Sequence, residues 1–151
     1  MTPPTHRRVS RILLLDDQDR FLLMLTVSSK LKTPVVQWIT PGGGVEPDET
    51  HEQGAIRELF EETGLVVTEV GEPVFTLDGS RLFASGHTQT THSEFFLVRT
   101  PAFTPVTDHW MENEFDDIRD VRWWTLAELK STEEPYSPAP LISLIEGVLH
   151  H

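Results

Sequence analysis

Three glutamates at close spacing are the residues of this sequence whose arrangement could do chemistry. Glu58, Glu61 and Glu62 stand at positions i, i+3 and i+4, which places their carboxylates side by side on one face of a helix. Like charges at this spacing repel by about a few tenths of a kcal/mol per pair in an isolated helix. Hard carboxylate oxygens are ligands that Mg²⁺ and Mn²⁺ take in proteins. The spacing therefore indicates either a divalent-cation site or a solvated acidic helix face.

The helix that would carry these glutamates has clear predicted ends. Thr50 and Gln53 have the spacing of a capping box, and Gly64 is a typical C-terminal stop, so we expect the helix to run to Thr63. Arg57 lies one turn before Glu61, and we expect it to tether one carboxylate at most. At about 100° per residue, the side chains opposite the glutamates form a buried stripe that consists of Ala55, Ile56, Leu59, Phe60 and Thr63.

Apolar and branched runs on both sides of this helix predict the strands that must position it. Residues 9–15 and 21–27 flank an Asp-rich turn and predict a hairpin, and a short strand at 37–40 leads into a run of three glycines at 42–44. Further strands are expected at 66–78, 90–99 and 121–125, and further helices at 126–130 and 141–149. Strands that alternate with helices in this way predict an α/β fold in which helices cover the faces of a mixed sheet.

The composition indicates one globular domain, which we assign to residues 1–151. Of the 151 residues, 38% are apolar and 24% are charged, and this length is enough for one self-sufficient core. The sequence contains no cysteine, which excludes disulfides, thiolate metal sites and a cysteine nucleophile and fits a reducing cytoplasm. No window approaches about 18 consecutive apolar residues, so we expect no contact with a membrane.

The charge balance limits the kind of partner. Twelve basic residues stand against 24 acidic ones, a net charge of −12. This argues against a nucleic-acid polymer as partner, because proteins that bind one neutralise its phosphates with Lys and Arg. A small phosphate-containing substrate is compatible with the charge only if something other than side chains neutralises it, and divalent cations are the obvious candidates.

A longer pattern contains the three glutamates. Gly43 is followed after five residues by Glu49 and after seven more by the segment Arg57-Glu58-Leu59-Phe60-Glu61-Glu62-Thr63-Gly64-Leu65. At every defined position this pattern resembles the signature of the Nudix hydrolases. The later segment 122–129 also resembles the family's last strand and helix.

The resemblance implies a fold, a reaction and a metal site. The fold is a Nudix-type mixed β-sheet sandwiched between α-helices, and the reaction is hydrolysis of a nucleoside diphosphate linked to another group. Glu58, Glu61 and Glu62 would bind divalent cations, Mg²⁺ or Mn²⁺, and the backbone carbonyl of Gly42 would complete the site. Such ions would act as Lewis acids on the bridging phosphate oxygens and lower the pKa of the attacking water.

The remaining catalytic roles follow from the same resemblance. Arg57 would orient Glu61 as a catalytic carboxylate, and Glu49 would brace that arginine. Some Nudix enzymes draw their general base from a glutamate on a loop before the final strand, where this chain has Glu112 and Glu114. We predict Glu114, because a metal-bound carboxylate is a poor proton acceptor; an ordinary surface loop is the alternative for both.

Outside the signature, the sequence does not select one substrate. The residues that mark ADP-ribose and dinucleoside polyphosphate hydrolases are absent from their expected positions, where this chain has Arg81, Leu82 and Phe83. We therefore expect a nucleoside triphosphate, a nucleotide sugar or a related nucleotide as the small-molecule substrate. The sequence is compatible with a homodimer.

The alternative function is that of a catalytically silent Nudix-fold module that senses nucleotides or binds a protein. Decayed modules usually lose signature glutamates, whereas this chain keeps them.

Two histidines and two arginines give weaker signals. His87 and His92 are five residues apart and would point to opposite faces of a strand, so we expect a structural or surface role rather than a metal pair. Arg81 and Arg99 could touch phosphates, although a lone arginine is usually a surface residue.

Overall fold

The computed structural model describes residues 5–106 and 117–149. Strands and helices follow one another along these residues. Their bounds are β1 Thr5–Asp16, β2 Phe21–Val27, β3 Val36–Ile39, β4 Gly42–Gly44, α1 His51–Thr63, β5 Phe75–Leu82, β6 Thr88–Thr100, β7 Asp117–Trp124, α2 Leu126–Ser131, β8 Tyr136–Ser137 and α3 Leu141–Leu149. Within the same described ranges, none of the helices is long and apolar enough to cross a membrane.

The strands form one mixed sheet around β1. Its order is β5-β6-β1-β2-β3-β8, with β4 paired to β1 and β7 paired to β2. β1 and β6 run parallel over the whole of β1, from the pair Thr5 and Gln89 to the pair Asp16 and Thr100. Residues 12–15 of β1 are all buried, because both faces of the sheet are covered at this point.

Alternating residues of β1 point into two separate cores. Leu13 and Leu15 lie in the first, which residues of α2 and α3 close. Ile12 lies in the second, where Ala55 and Leu59 of α1 cover the opposite face. The expected mixed sheet between helices is therefore confirmed.

The predicted hairpin of β1 and β2 is confirmed. The two strands pair beside the turn, and farther from the turn β1 pairs with β4 instead. The Cα partners of β1 and β2 are Leu15 and Phe21, beside the turn, where the Asp16 carboxylate accepts hydrogen bonds from two backbone amides, both at 2.9 Å. Farther along β1, Gly42–Gly44 pair with residues 9–11. The three glycines thus form a short strand that lies beside the centre of the sheet.

Helix α1 begins and ends where the sequence predicts. Thr50 is its N-cap and forms both hydrogen bonds of a capping box with Gln53. Gly64 ends the helix in the left-handed conformation, with φ 81°, and donates its backbone N–H to the carbonyl of Phe60. The local signals at both ends of this helix were sufficient, since capping depends on residues that are close in sequence.

The buried face of α1 differs from the predicted stripe. Phe60 is 38% exposed, whereas Glu62 is 7% exposed. The prediction that Phe60 is buried was wrong, as was the placement of all three glutamates away from the core. The buried residues of α1 include Gly54 and Glu62 besides Ala55 and Leu59. Compared with the predicted stripe, the buried face of the helix is therefore turned towards the glutamates.

The strand predicted at 66–78 was wrong over most of its length. β5 begins only at Phe75, and the residues before it are irregular. Val66 is 72% exposed and Val74 is 45% exposed, so the apolar residues of this stretch do not line one buried face. The other predicted strands and both C-terminal helices overlap the observed elements.

Candidate active site

Strand β4 brings two glycines against two carboxylates of α1. The backbone N–H of Gly42 donates to Glu62 Oε1 at 2.7 Å. A Cβ built on Gly43 would lie 2.7 Å from Glu58 Oε1, and one built on Gly42, whose φ is +141°, would collide with the backbone carbonyl of Ser10. Glycine is needed at position 43 because a side chain would fill the space in which Glu58 approaches the backbone, and at position 42 because of the positive φ and the close contact with β1.

Arg57 connects the signature residues to one another. Its Nε and Nη2 donate to the two carboxylate oxygens of Glu49, both at 2.9 Å, and Nη2 also donates to the carbonyl of Gly44 at 2.9 Å. Its Nη1 lies 3.0 Å from Glu58 Oε1 and 3.3 Å from Glu61 Oε2. The prediction that Arg57 tethers one carboxylate at most was wrong, because the guanidinium fork has five donors that reach partners on two sides.

The loop that carries Glu49 is itself held to the sheet. Glu49 Oε1 accepts a hydrogen bond from the backbone N–H of Glu46 at 2.9 Å. Arg8 on β1 donates to the backbone carbonyls of Glu46 and Glu49, at 2.8 and 3.0 Å. Sequence reasoning missed Arg8, since its contact depends on the position of β1 beneath a loop about forty residues later.

The pKa values of the carboxyl groups shift in different directions because their surroundings differ. The hydrogen bond from Arg57 lowers the pKa of Glu49 below its usual value, and the same bond raises the pKa of Arg57. Burial raises the pKa of Glu58. Burial, with the neighbouring charge of Glu58, raises the pKa of Glu62 well above its usual value. Glu58 and Glu62 are therefore carboxylates that a bound cation would help to ionise.

The donor set fits a hard divalent cation. The side chains that offer oxygen ligands are those of Glu58, Glu61 and Glu62. Because Gly43 has no side chain, Glu58 can lie close to the backbone of β4. The neighbouring arginines are too few to neutralise these carboxylates. Arg57 alone contacts three of them, Glu49, Glu58 and Glu61. The arrangement can hold an ion of the Mg²⁺ type against the end of β4.

A cleft lies near the carboxylates, and Arg11 belongs to the surroundings of both. Arg11 lines the cleft together with Ser28, Gln37, Arg81 and Phe95. Its positive charge also acts on Glu58 and Glu62, lowering the pKa of each against the larger effect of burial. Sequence reasoning missed Arg11, although the alternation of β1 could have marked it as a charge among apolar neighbours.

The remaining predicted residues are placed as follows. Arg81 lines the cleft, whereas Arg99 donates to the carbonyl of Val148 at 2.6 Å and so lies at α3. Glu112 and Glu114 lie outside the described residues, so the general base stays a prediction.

Comparisons with known proteins agree with this geometry. A family model described as the NUDIX domain matches residues 4–145. The RNA pyrophosphohydrolase of Sphingopyxis alaskensis is 30% identical over 130 residues, which is 80% of this chain and 80% of that protein. The m7GpppN-mRNA hydrolase NUDT17 of Bos taurus is 40% identical over 65 residues, 42% of this chain but 22% of that longer protein.

A solved structure supports the fold independently. The MutT protein of Methanosarcina mazei Go1 superposes with a TM-score of 0.72 over 99% of this chain and 97% of that chain, at 19% sequence identity. The match covers the sheet and all three helices, in agreement with the signature. The chain therefore belongs to the Nudix family.

Proposed function

We propose that this chain hydrolyses the pyrophosphate bond of a nucleoside triphosphate, a nucleotide sugar or a related nucleotide, with Mg²⁺ or Mn²⁺ as cofactor. The observation that carries the proposal is the assembly of carboxylates at β4. Gly42 holds Glu62, and Arg57 holds Glu58 and Glu61 within one hydrogen-bonded group.

The cation would be held by Glu58, Glu61, Glu62 and the backbone carbonyl of Gly42. When bound, it supplies Lewis acidity at the bridging phosphate oxygens and a lower pKa for the attacking water. Its charge also offsets the repulsion between an anionic substrate and a chain of net charge −12.

The chain's own residues position this group. Arg57 orients Glu61, and Glu49 braces Arg57 through two parallel hydrogen bonds that fix the plane of the guanidinium group. Arg11 lies where the cleft meets the carboxylates and would contact a phosphate of the substrate, with the nucleoside part in the cleft. These are positioning and binding roles.

The general base of this proposal is Glu114. The resemblance does not place it among the metal ligands, and a carboxylate that binds no cation is the better proton acceptor. At saturating Mg²⁺, Glu114→Gln should lower kcat by about 10² to 10⁴ and leave metal affinity nearly unchanged. A near-normal kcat would move the base to Glu112 or to α1, and a loss of metal affinity would make Glu114 a ligand.

A substrate panel tests the proposed reaction. Nucleoside triphosphates, nucleotide sugars and a 5′-triphosphorylated RNA oligonucleotide are each incubated with Mg²⁺ or Mn²⁺, and released phosphate, pyrophosphate and mononucleotide are measured. The RNA arm is included because two relatives are named for RNA substrates, although the acidic charge of this chain favours the small nucleotides. We expect turnover of at least one small nucleotide.

Matched variants of α1 make the panel specific. Glu61→Gln should remove most of the turnover, whereas Glu52→Gln, an exposed acid on the same helix, should leave it intact. If no substrate is turned over while nucleotides raise the melting temperature, the chain is the silent nucleotide-sensing module instead.

A further inference from the structure

A second group of metal-ligating side chains lies at the other end of α1. It consists of His51, the first residue of the helix, with His92 and Glu94 of β6. One ligand atom from each residue lies within 4.8 Å of the other two. Among the described residues, this is the group of three histidine and carboxylate side chains whose ligand atoms come this close together.

The distances match the size of a tetrahedral metal site. His92 Nε2 lies 3.0 Å from Glu94 Oε2, and His51 Nε2 lies 3.6 Å from the same oxygen. Zinc bonds to nitrogen and oxygen of about 2.0–2.2 Å place tetrahedral ligand atoms about 3.3–3.6 Å apart. The distance between His51 and Glu94 lies at the upper end of that range and the distance between His92 and Glu94 is slightly shorter, so small side-chain movements would close the site around an ion.

The outer nitrogen of each imidazole already has a partner. His92 Nδ1 lies 2.8 Å from Asp78 Oδ1 on the neighbouring strand β5. His51 Nδ1 lies 3.3 Å from Ser10 Oγ, and that hydroxyl also donates to the His51 carbonyl at 2.6 Å. Metal-binding histidines typically use this second nitrogen to bond a carboxylate or another acceptor, which fixes the ring with Nε2 towards the metal.

The surroundings separate this group from the carboxylates of the candidate active site. His51 precedes Glu58 by seven residues, which is about 10 Å along a helix. Arg8 is the nearby cation, and its guanidinium donates to the carbonyls of Glu46 and Glu49. The side chains of His51, Glu94 and His92 are 12%, 22% and 31% exposed, so an ion can enter from solvent.

We propose that His51, His92 and Glu94 form a second metal site, which binds Zn²⁺. Two imidazoles and one glutamate are a ligand set that zinc takes with its fourth position open, and imidazole favours zinc and its neighbours over Mg²⁺. The ion would join the first residue of α1 to β6. It would thereby hold the helix that carries Glu58, Glu61 and Glu62 to the sheet at its opposite end.

Calorimetric titration of the full chain with ZnCl₂ in excess Mg²⁺ tests this site without any need for turnover. The excess Mg²⁺ competes with Zn²⁺ for the carboxylates of the candidate active site, and the variants below identify the part of the signal that comes from the imidazole group. We expect one Zn²⁺ per chain. His92→Ala should weaken binding by more than about 100-fold, because loss of an outer partner alone typically costs about 10- to 100-fold.

Two further variants distinguish a metal site from an ordinary ion-pair network. Asp78→Asn touches only the outer nitrogen of His92 and should weaken Zn²⁺ binding by about 10- to 100-fold. His87→Ala is the control, since His87 bonds Thr5 instead of this group, and it should bind Zn²⁺ as the wild type does. Melting curves confirm that each variant is folded.

X-ray absorption at the zinc edge gives an independent measurement. We expect scattering from two imidazole rings in the wild type and from one in His92→Ala. Complete displacement of Zn²⁺ by Mg²⁺, equal affinity in wild type and His92→Ala, or a coordination shell without imidazole would each overturn the proposal.

Discussion

The two ends of α1 carry different groups of possible metal ligands on one face of one sheet. Towards the C-terminal end, Glu58 and Glu62 meet the backbone of β4, and Glu58 also contacts Arg57. At the N-terminal end, His51 meets His92 and Glu94. The helix supplies only part of each group, and the strand that faces each turn supplies the rest.

Strand β6 of the sheet beneath α1 is apolar under the middle of the helix and polar under its first turn. Phe96 and Val98 of β6 face the apolar core under the middle of the helix, whereas His92 and Glu94, on the same face of the same strand, lie under its first turn. Alternation keeps all four side chains on one side. The change from apolar to polar along one strand thus separates a packing region from a ligand region.

Removal of divalent cations is the change with the largest expected effect on this comparison. Exhaustive chelation should abolish hydrolysis, because the carboxylates otherwise repel the phosphates that they must bind. Mg²⁺ alone should restore the rate, in wild type and in His92→Ala alike. Activity that survives chelation would remove the metal assignment at Glu58, Glu61 and Glu62, and a requirement for added Zn²⁺ would show that the two ends act together.

Leu59→Ala should weaken both ends at once, because Leu59 anchors α1 between them and is fully buried. We expect a loss of about 2–5 kcal/mol in the free energy of unfolding through the cavity left behind, measured by denaturant titration. Phe60→Ala is the matched control and should lose less, since Phe60 is 38% exposed. A neutral Leu59→Ala variant would mean that the helix faces the sheet differently.

Glu49→Gln should affect the carboxylate end alone. The substitution keeps the size of the side chain but removes the charge that pairs with Arg57, and outer partners of this kind typically contribute about 10- to 100-fold. We expect kcat or Mg²⁺ affinity to fall by that factor, measured by steady-state rates at varied Mg²⁺. Zn²⁺ binding should be unchanged, and a parallel loss of Zn²⁺ affinity would contradict the separation of the two sites.

Thr50→Ala should give the smallest effect, and at the opposite end. It removes the oxygen that accepts from the Gln53 N–H at 3.1 Å, at a cost of about 1 kcal/mol in stability. Zn²⁺ affinity should fall because His51 is the next residue, while kcat with Mg²⁺ stays the same. Thr125→Ala removes the equivalent cap of α2 and should cost similar stability without any change in Zn²⁺ binding.

Local patterns in the sequence determined the helices and the spacing of the glutamates. The caps of α1 and α2, at Thr50 and Thr125, involve residues three positions apart, so their pattern can be read from a short stretch of sequence. The Nudix signature likewise lies within one continuous segment. For this reason the family, the fold class and the carboxylates of the candidate site could all be predicted.

The tertiary structure decided which side chains meet across long separations. Periodicity showed that Glu58 and Glu62 share a helix face, but the burial of Glu62 depends on where β4 lies. The sequence also places His92 and Glu94 two residues apart on one predicted strand, a signal that could have been used. Their meeting with His51 could not be predicted, because the parallel pairing of β1 and β6 that brings α1 over them leaves no periodic trace in the sequence.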